Sequence, residues 1–375
     1  MVIGTILFCG GLSLVALVLA DIFQSVVLPR PANRLLRLSA LLSRLAWRGL
    51  TRVDSRFASS TRTTVLGVYA SFMLVVFLVS WVVALVAGYG LMFFALRSQV
   101  APHLATFGEA LYFAGTTFLT IGYGDFHPIS AATRVLSVVA GATGFAVIAV
   151  VATFLFSILG GFQQREFFIA TVSQRVDATP TGLSLLLTVD RSHRYDDLTT
   201  LFRDARRWIA AVTESHLAYP ILAYFRSTRE DDSWVSTLAA VMDAAALIIC
   251  FVESDAEHEA ARTLMAGQRL VDTFVAYFGM RASLEMAQPS ASFASVRGAL
   301  EDAGYALRDA TLTRHDFESI QRAYRGKLES MSRYWLLPSV QWPDEAAVAA
   351  AIEAAESVAR RYGLGGRTSE RVPQR

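Results

Sequence analysis

Lysine is almost missing from this chain. Lys327 is the only one, and arginine supplies the rest of the 34 basic residues. Charge of either sign is scarce, at 18% of 375 residues, where soluble domains carry roughly 25%. Cysteine is limited to Cys9 and Cys250, far apart in sequence, which excludes a disulfide framework or a cysteine metal site. No glycine-rich turn follows a strand pattern, so a dinucleotide-binding fold is not indicated. Alternating strand patterns are missing as well. No grouping of nucleophile, base and metal ligands points to an enzyme, and no cofactor is implied.

What the chain does have is long apolar runs. Hydrophobic residues make up 54% of it, and its mean hydropathy is +0.42. Three stretches explain that value: Val2 to Leu28 with a single charge at Asp21, Thr63 to Leu96 with none, and Val135 to Gln164 with none. Each is long enough to cross the roughly 30 Å of a bilayer core. The first lacks the basic start and small-residue cleavage site of a signal peptide, so it reads as a spanning helix. An acid within a membrane segment is by default a functional candidate. Asp21 stands near the end of its run, where the cost of charge falls, and the preferred expectation is that it reaches water or an arginine.

Between the first two runs the composition inverts. Arg30, Arg34, Arg37, Arg44, Arg48, Arg52, Arg56 and Arg62 face one acid, Asp54. Short loops rich in arginine stay on the cytoplasmic side, which puts the N-terminus outside. Leu38, Leu42, Leu45 and Val53 fall near one helical face, predicting a basic amphipathic helix on the anionic inner leaflet. Such a run can also bind nucleic acid. With both flanks entering the membrane, no nucleic-acid partner is expected.

His103 to Leu119 is apolar and aromatic but too short to cross, so it reads as re-entrant, with Pro102 setting its start. Glu109 inside it requires burial in protein or access to water. The segment runs into Thr116-Thr117-Phe118-Leu119-Thr120-Ile121-Gly122-Tyr123-Gly124-Asp125. Thr120-Ile121-Gly122-Tyr123-Gly124 resembles the signature of the potassium-channel pore family, in its prokaryotic two-helix-plus-pore-loop form. A row of inward carbonyls replaces the hydration shell of the ion in such filters. Consecutive carbonyls point one way only if alternate residues leave the usual backbone regions, which suits Gly122 and Gly124.

The resemblance implies an all-α membrane protein built as outer helix, re-entrant pore helix, filter and inner helix. An extra N-terminal spanning helix and an all-helical cytoplasmic domain are added to that pore. It implies potassium held at Thr120, Ile121, Gly122 and Tyr123, and a homotetramer around one axis. The Thr120 hydroxyl would extend the row inward, and Tyr123 would turn its ring onto the pore helix. Asp125 would place negative charge at the outer mouth. His127, two positions on, would titrate there in a reachable pH range. Many relatives carry an acid on the pore helix that pairs with the filter aspartate; Thr116 stands in that place. Gly144 matches the family's inner-helix hinge, although glycine is common in spanning helices and Gly141 is a turn away. Phe145, Ile148 and Ala152 are candidates for the cavity wall and gate. No run carries arginine at every third place, so a voltage sensor of the arginine-helix type is not indicated.

From Gln163 the charges return and the pattern is helical. Tyr195 to Glu214 and Trp234 to Glu253 show apolar residues at three- and four-residue steps. Asp255 is expected to cap a helix ending near Gly279, and Thr313 with Asp316 resembles a capping box. Pro343 and Asp344 would open a last helix ending near Gly363, with a loop at Gln288 to Ser292 and a disordered tail from Gly365. Glu253, Asp255, Glu257, His258 and Glu259 invite a metal reading, but acids at a helix start are the ordinary explanation. His216, Tyr219, Pro220 and Tyr224 suit either a pocket or core packing, and packing is preferred.

The expected domains are residues 1–29 (spanning helix), 30–62 (basic segment), 63–162 (pore), 163–364 (helical domain) and 365–375 (tail). The expected function is passive potassium conduction across a prokaryotic plasma membrane, gated or assembled by the helical domain, whose regulatory ligand is unknown. A potassium transporter subunit is one alternative, but such chains hold four degenerate repeats where this one holds a single full signature. A membrane-anchored sensor with its activity in the C-terminal domain is the other.

Overall fold

A computed structural model describes residues 2–27, 46–47, 49–50, 59–176, 180–189, 194–227, 233–281, 293–340 and 345–361. Nearly all of the basic segment, including Leu38, Leu42, Leu45 and Val53, lies outside these residues. So do Gln288 to Ser292, Pro343, Asp344, Gly363 and the tail. The described chain is helical, with a single ladder of two-residue strands. It divides into two compact units, Met1–Gly160 with His216–Phe225, and Gly161–Ser215 with Arg226–Arg375.

In the first unit, α1 (Val2–Ile22) continues into a π-helical turn, Phe23–Val27. It packs antiparallel on α2 (Ser59–Ala95), because Gly4, Gly11 and Asp21 meet Ala95, Gly88 and Trp81 in turn. A Cβ on Gly11 would fall 2.5 Å from the Gly88 carbonyl. Small residues let backbones approach this closely in membrane helix pairs, where dispersion replaces the hydrophobic effect. On α2, Phe77, Trp81, Leu85 and Tyr89 are buried at four-residue steps, while Val68, Phe72, Val75, Val79 and Val83 face outward. Outward valines on charge-free helices are the pattern of a lipid-facing surface.

Asp21 does not reach water as expected. It is 3% exposed, and the Trp81 indole N–H donates to its Oδ2 at 2.7 Å. The acid is turned inward because α2 supplies a donor at its level, which the apolar run of α1 cannot.

The strands β1 (Val100–Ala101) and β2 (His127–Pro128) pair antiparallel on either side of α3 (Phe107–Phe118). Then follows α4 (Ala131–Ser173), whose residues from Gly161 on belong to the second unit. It starts at Ala131, where Ser130 and Thr133 exchange side-chain and backbone bonds at its first turn. Likewise α3 starts at Phe107 and not near Pro102. Thr106 caps it, and Glu109 returns the bond in a reciprocal capping box.

The second unit has a core helix at its centre. That helix is α7 (Trp234–Phe251), and around it stand α5 (Gly182–Leu187) and α6 (Arg194–Ala218, whose last residues belong to the first unit). They are joined by α8 (Glu257–Phe278), α9 (Phe293–Asp302), α10 (Ala310–Trp335) and α11 (Glu345–Arg361). By length and composition α7 could cross a membrane. All of its residues except Ser236 and Ile249 are instead buried within the protein, leaving no face for lipid. Its acid, Asp243, accepts from the Tyr324 hydroxyl at 2.7 Å and pairs with Arg325.

Two capping expectations fail here. The N-cap of α8 is Ala256, without a side-chain bond. Ser254, not Asp255, closes that turn, its hydroxyl accepting from the Ala256 N–H at 3.2 Å. Thr313 lies inside α10, which begins at Ala310 directly after the Val252–Leu307 bridge. Gly279 does end α8, at φ 68°, the left-handed position that favours glycine. The acid cluster is an ion-pair surface: Glu257 pairs with Arg308, and Glu259 with Arg206 and Arg262. Among the described residues no group of three ligands could hold a metal. His216 and Tyr224 are buried.

Candidate functional site

The loop after α3 starts from a helix end that is tied down on two sides. The Leu119 N–H bonds to the Gly115 carbonyl at 2.9 Å and the Thr120 N–H to the Thr117 carbonyl at 3.1 Å. The Thr116 carbonyl then accepts from both Ile121 and Gly122, at 2.8 and 3.2 Å. With those N–H groups consumed behind it, the chain turns upward. The backbone takes positive φ at Thr120 (58°), Gly122 (59°) and Gly124 (83°). Alternate residues leave the usual regions, as a row of carbonyls pointing one way requires.

A Cβ at Gly122 or Gly124 would meet nothing within 4 Å. Glycine is therefore demanded by the backbone angle and not by space. Thr120 has no such freedom. A β-branched residue in this region costs roughly 1–3 kcal/mol and persists only where surroundings impose it. The double acceptor at Thr116 is that imposition. Thr116, standing where relatives place an acid, is 8% exposed, and its hydroxyl donates to the Phe113 carbonyl at 3.1 Å.

At the outer end, Tyr123 is 70% exposed and stacks on Tyr112 of α3, with centroids 6.5 Å apart and planes 3° from parallel. The Tyr112 ring also meets Phe126 edge-on at 6.2 Å, and its hydroxyl interacts with the Asp125 carboxylate. The sequence reading missed Tyr112. Its signal was a polar-tipped ring on an otherwise apolar re-entrant helix, the type of side chain that bridges a dry wall and a wet mouth. His127 is exposed on β2, opposite Ala101. Gln99 anchors the return to α4: its carbonyl accepts from the Ile129 N–H at 3.1 Å and the Thr133 hydroxyl at 3.0 Å.

Behind the loop, Phe118 is 1% exposed and lies 6.3 Å from Tyr89 of α2, whose hydroxyl bonds Thr143 of α4 at 2.8 Å. Gly144 sits against the end of α3. A Cβ there would come 1.8 Å from the Phe118 carbonyl oxygen. That close approach accounts for the glycine without any bend in α4, which is helical across it. Gly141 has more room, its added Cβ lying 3.5 Å from the Thr117 carbonyl. Phe145 and Ile148 are 72% and 55% exposed, and Ala152 is exposed as well. They lie on a face of α4 that this chain leaves uncovered.

This geometry coincides with a sequence match. A family model described as an ion channel matches residues 64–160, the stretch from α2 through α3 and the loop into α4. Residues 64–160 thus resemble the ion-channel family over the stretch that carries the loop. An uncharacterized membrane protein of Bacillus subtilis (strain 168), YdjJ, is 24% identical over 207 residues, 54% of this chain. The chain covers only 58% of that relative's length. No solved structure matches. The chain is thus a helical membrane protein whose residues 64–160 match an ion-channel family model, and α1 precedes the part that the model describes.

Proposed function

We propose that this ion channel is selective for potassium and conducts it passively through a homotetramer in the plasma membrane. One observation carries the reading: positive φ at Thr120, Gly122 and Gly124 in turn. That alternation is what a filter of backbone carbonyls needs, with Thr120, Ile121, Gly122 and Tyr123 supplying the oxygens. A single chain offers one wall of such a path. The uncovered faces of Ile121, Phe145 and Ile148 support further copies around an axis. Asp125 draws cations to the mouth.

The arginine-rich segment between α1 and α2 supports an external N-terminus and contact with the anionic inner leaflet. The helical unit gates or assembles the pore. The test is tracer uptake into liposomes holding the purified full chain. Potassium enters and sodium does not, and Gly122→Ala abolishes or deselects the flux because alanine resists positive φ. Equal uptake of both ions by the unmutated chain overturns the reading.

A further inference from the structure

The stretch His216–Phe225 belongs to the pore unit, although the chain before Ser215 and after Arg226 belongs to the helical unit. It ends α6 and forms a 3-10 turn, Pro220–Tyr224. Its two tyrosines go to different membrane helices. Tyr224 packs edge-on to Trp47 at 4.9 Å and lies 5.9 Å from Tyr69 of α2. Tyr219 packs edge-on to Phe154 of α4 at 5.6 Å. Phe154 also meets Trp81 of α2 at 6.4 Å, and Trp81 is held by its bond to Asp21 of α1. Phe154 and Trp81 are 5% and 1% exposed.

We propose that the Tyr219–Phe154 contact is the seat through which the helical domain acts on the inner helix. Phe154 lies past the middle of α4, in the half remote from the loop at Thr120 to Asp125. On one contact it touches an outer helix fixed to α1. On another it touches a stretch tied at both ends, by the chain itself, into the helical unit. A packed aromatic ring of this kind has few alternative rotamers. A displacement of the stretch therefore moves α4 or costs the contact. The proposal rests on reading α4 as the inner helix of a conducting pore.

The experiment is single-channel recording of the full chain in planar bilayers. Tyr219→Ala should change open probability by roughly fivefold or more, the scale of a modest allosteric coupling. Tyr219→Phe keeps the ring and should leave open probability near that of the unmutated chain. On a Phe154→Leu background, Tyr219→Ala should add little further change, since the contact is already lost. The ratio of potassium to sodium permeability should stay constant throughout, because the loop is untouched. Additive effects, or no effect of Tyr219→Ala in a channel that conducts, overturn this inference alone. Silence of the unmutated chain at every voltage overturns the pore reading and this inference with it.

Discussion

Asp21 and Asp243 are the same residue in the same sequence setting, one acid in an apolar helix, and each is 3% exposed. Their helices meet opposite surroundings. α1 buries Gly11, Val15, Val18, Asp21 and Ile22 and turns Val2, Ile3, Ile6, Leu12 and Leu17 outward. α7 buries nearly everything. Both are long and apolar enough to cross a bilayer. Hydropathy therefore does not separate a spanning helix from a core helix here; the partners available to the acid do. Asp21 is turned onto Trp81, which offers an indole N–H. Asp243 sits among α8, α10 and the rest of its unit, which provide Tyr324 and Arg325.

The largest expected effect breaks the second of these settings. Asp243→Ala breaks the buried pair with Arg325, and such loss costs about 3–5 kcal/mol. Thermal unfolding of the full chain should show it. A loss under about 1 kcal/mol would mean that the pair is not what holds α7 to α10.

Trp81→Phe tests the first setting. It removes the Trp81 donor to Asp21 while keeping a ring, and losing a partner of a buried polar group costs about 1–3 kcal/mol. The same unfolding measurement should show a smaller loss than for Asp243→Ala, since no buried ion pair is broken. Asp21→Asn keeps an acceptor and should cost less than Trp81→Phe.

Two glycines sharpen the contrast between the units. A Cβ on Gly144 meets backbone, the Phe118 carbonyl at 1.8 Å, whereas a Cβ on Gly267 meets the Met242 side chain at 2.7 Å or more. Gly144→Ala should cost roughly 1–3 kcal/mol by overpacking and should displace the loop that follows α3. Gly267→Ala should cost less, because a thioether repacks. Equal losses in the unfolding measurement would contradict this distinction.

The smallest effect concerns Cys250, near the end of α7. Burial, with Asp316 adding to it, pushes its thiol up to about 12. Few thiolates exist at pH 8, so maleimide should leave Cys250 unmodified until the chain is denatured. The sign for stability follows. Above pH 9.0 the unfolded thiol ionises and the folded one does not until about 12, so alkaline pH lowers stability across that window.

The spanning helices and the loop at Thr120 to Asp125 were largely legible in the sequence because their demands are local. Gly122 and Gly124 announce positive φ, and the charge-free runs announce helices. Thr120 did not, since its angle depends on the Thr116 carbonyl collecting two N–H groups. The start of α3 was placed too early because Thr106 and Glu109, three residues apart, were not read as a capping box. The bond between Asp21 and Trp81 was not foreseen because the two are sixty residues apart, beyond any periodicity argument. Gly144 matched a hinge by counting from the filter, but the reason for the glycine, the end of α3 lying against it, exists only in three dimensions.

The central claim is that the loop Thr120 to Asp125 selects potassium. The most direct measurement is the reversal potential of the purified full chain in a planar bilayer, with potassium on one side and sodium on the other. The account predicts a strongly displaced potential, of the sign set by potassium leaving its own side. A reversal at zero, with current flowing, would contradict it.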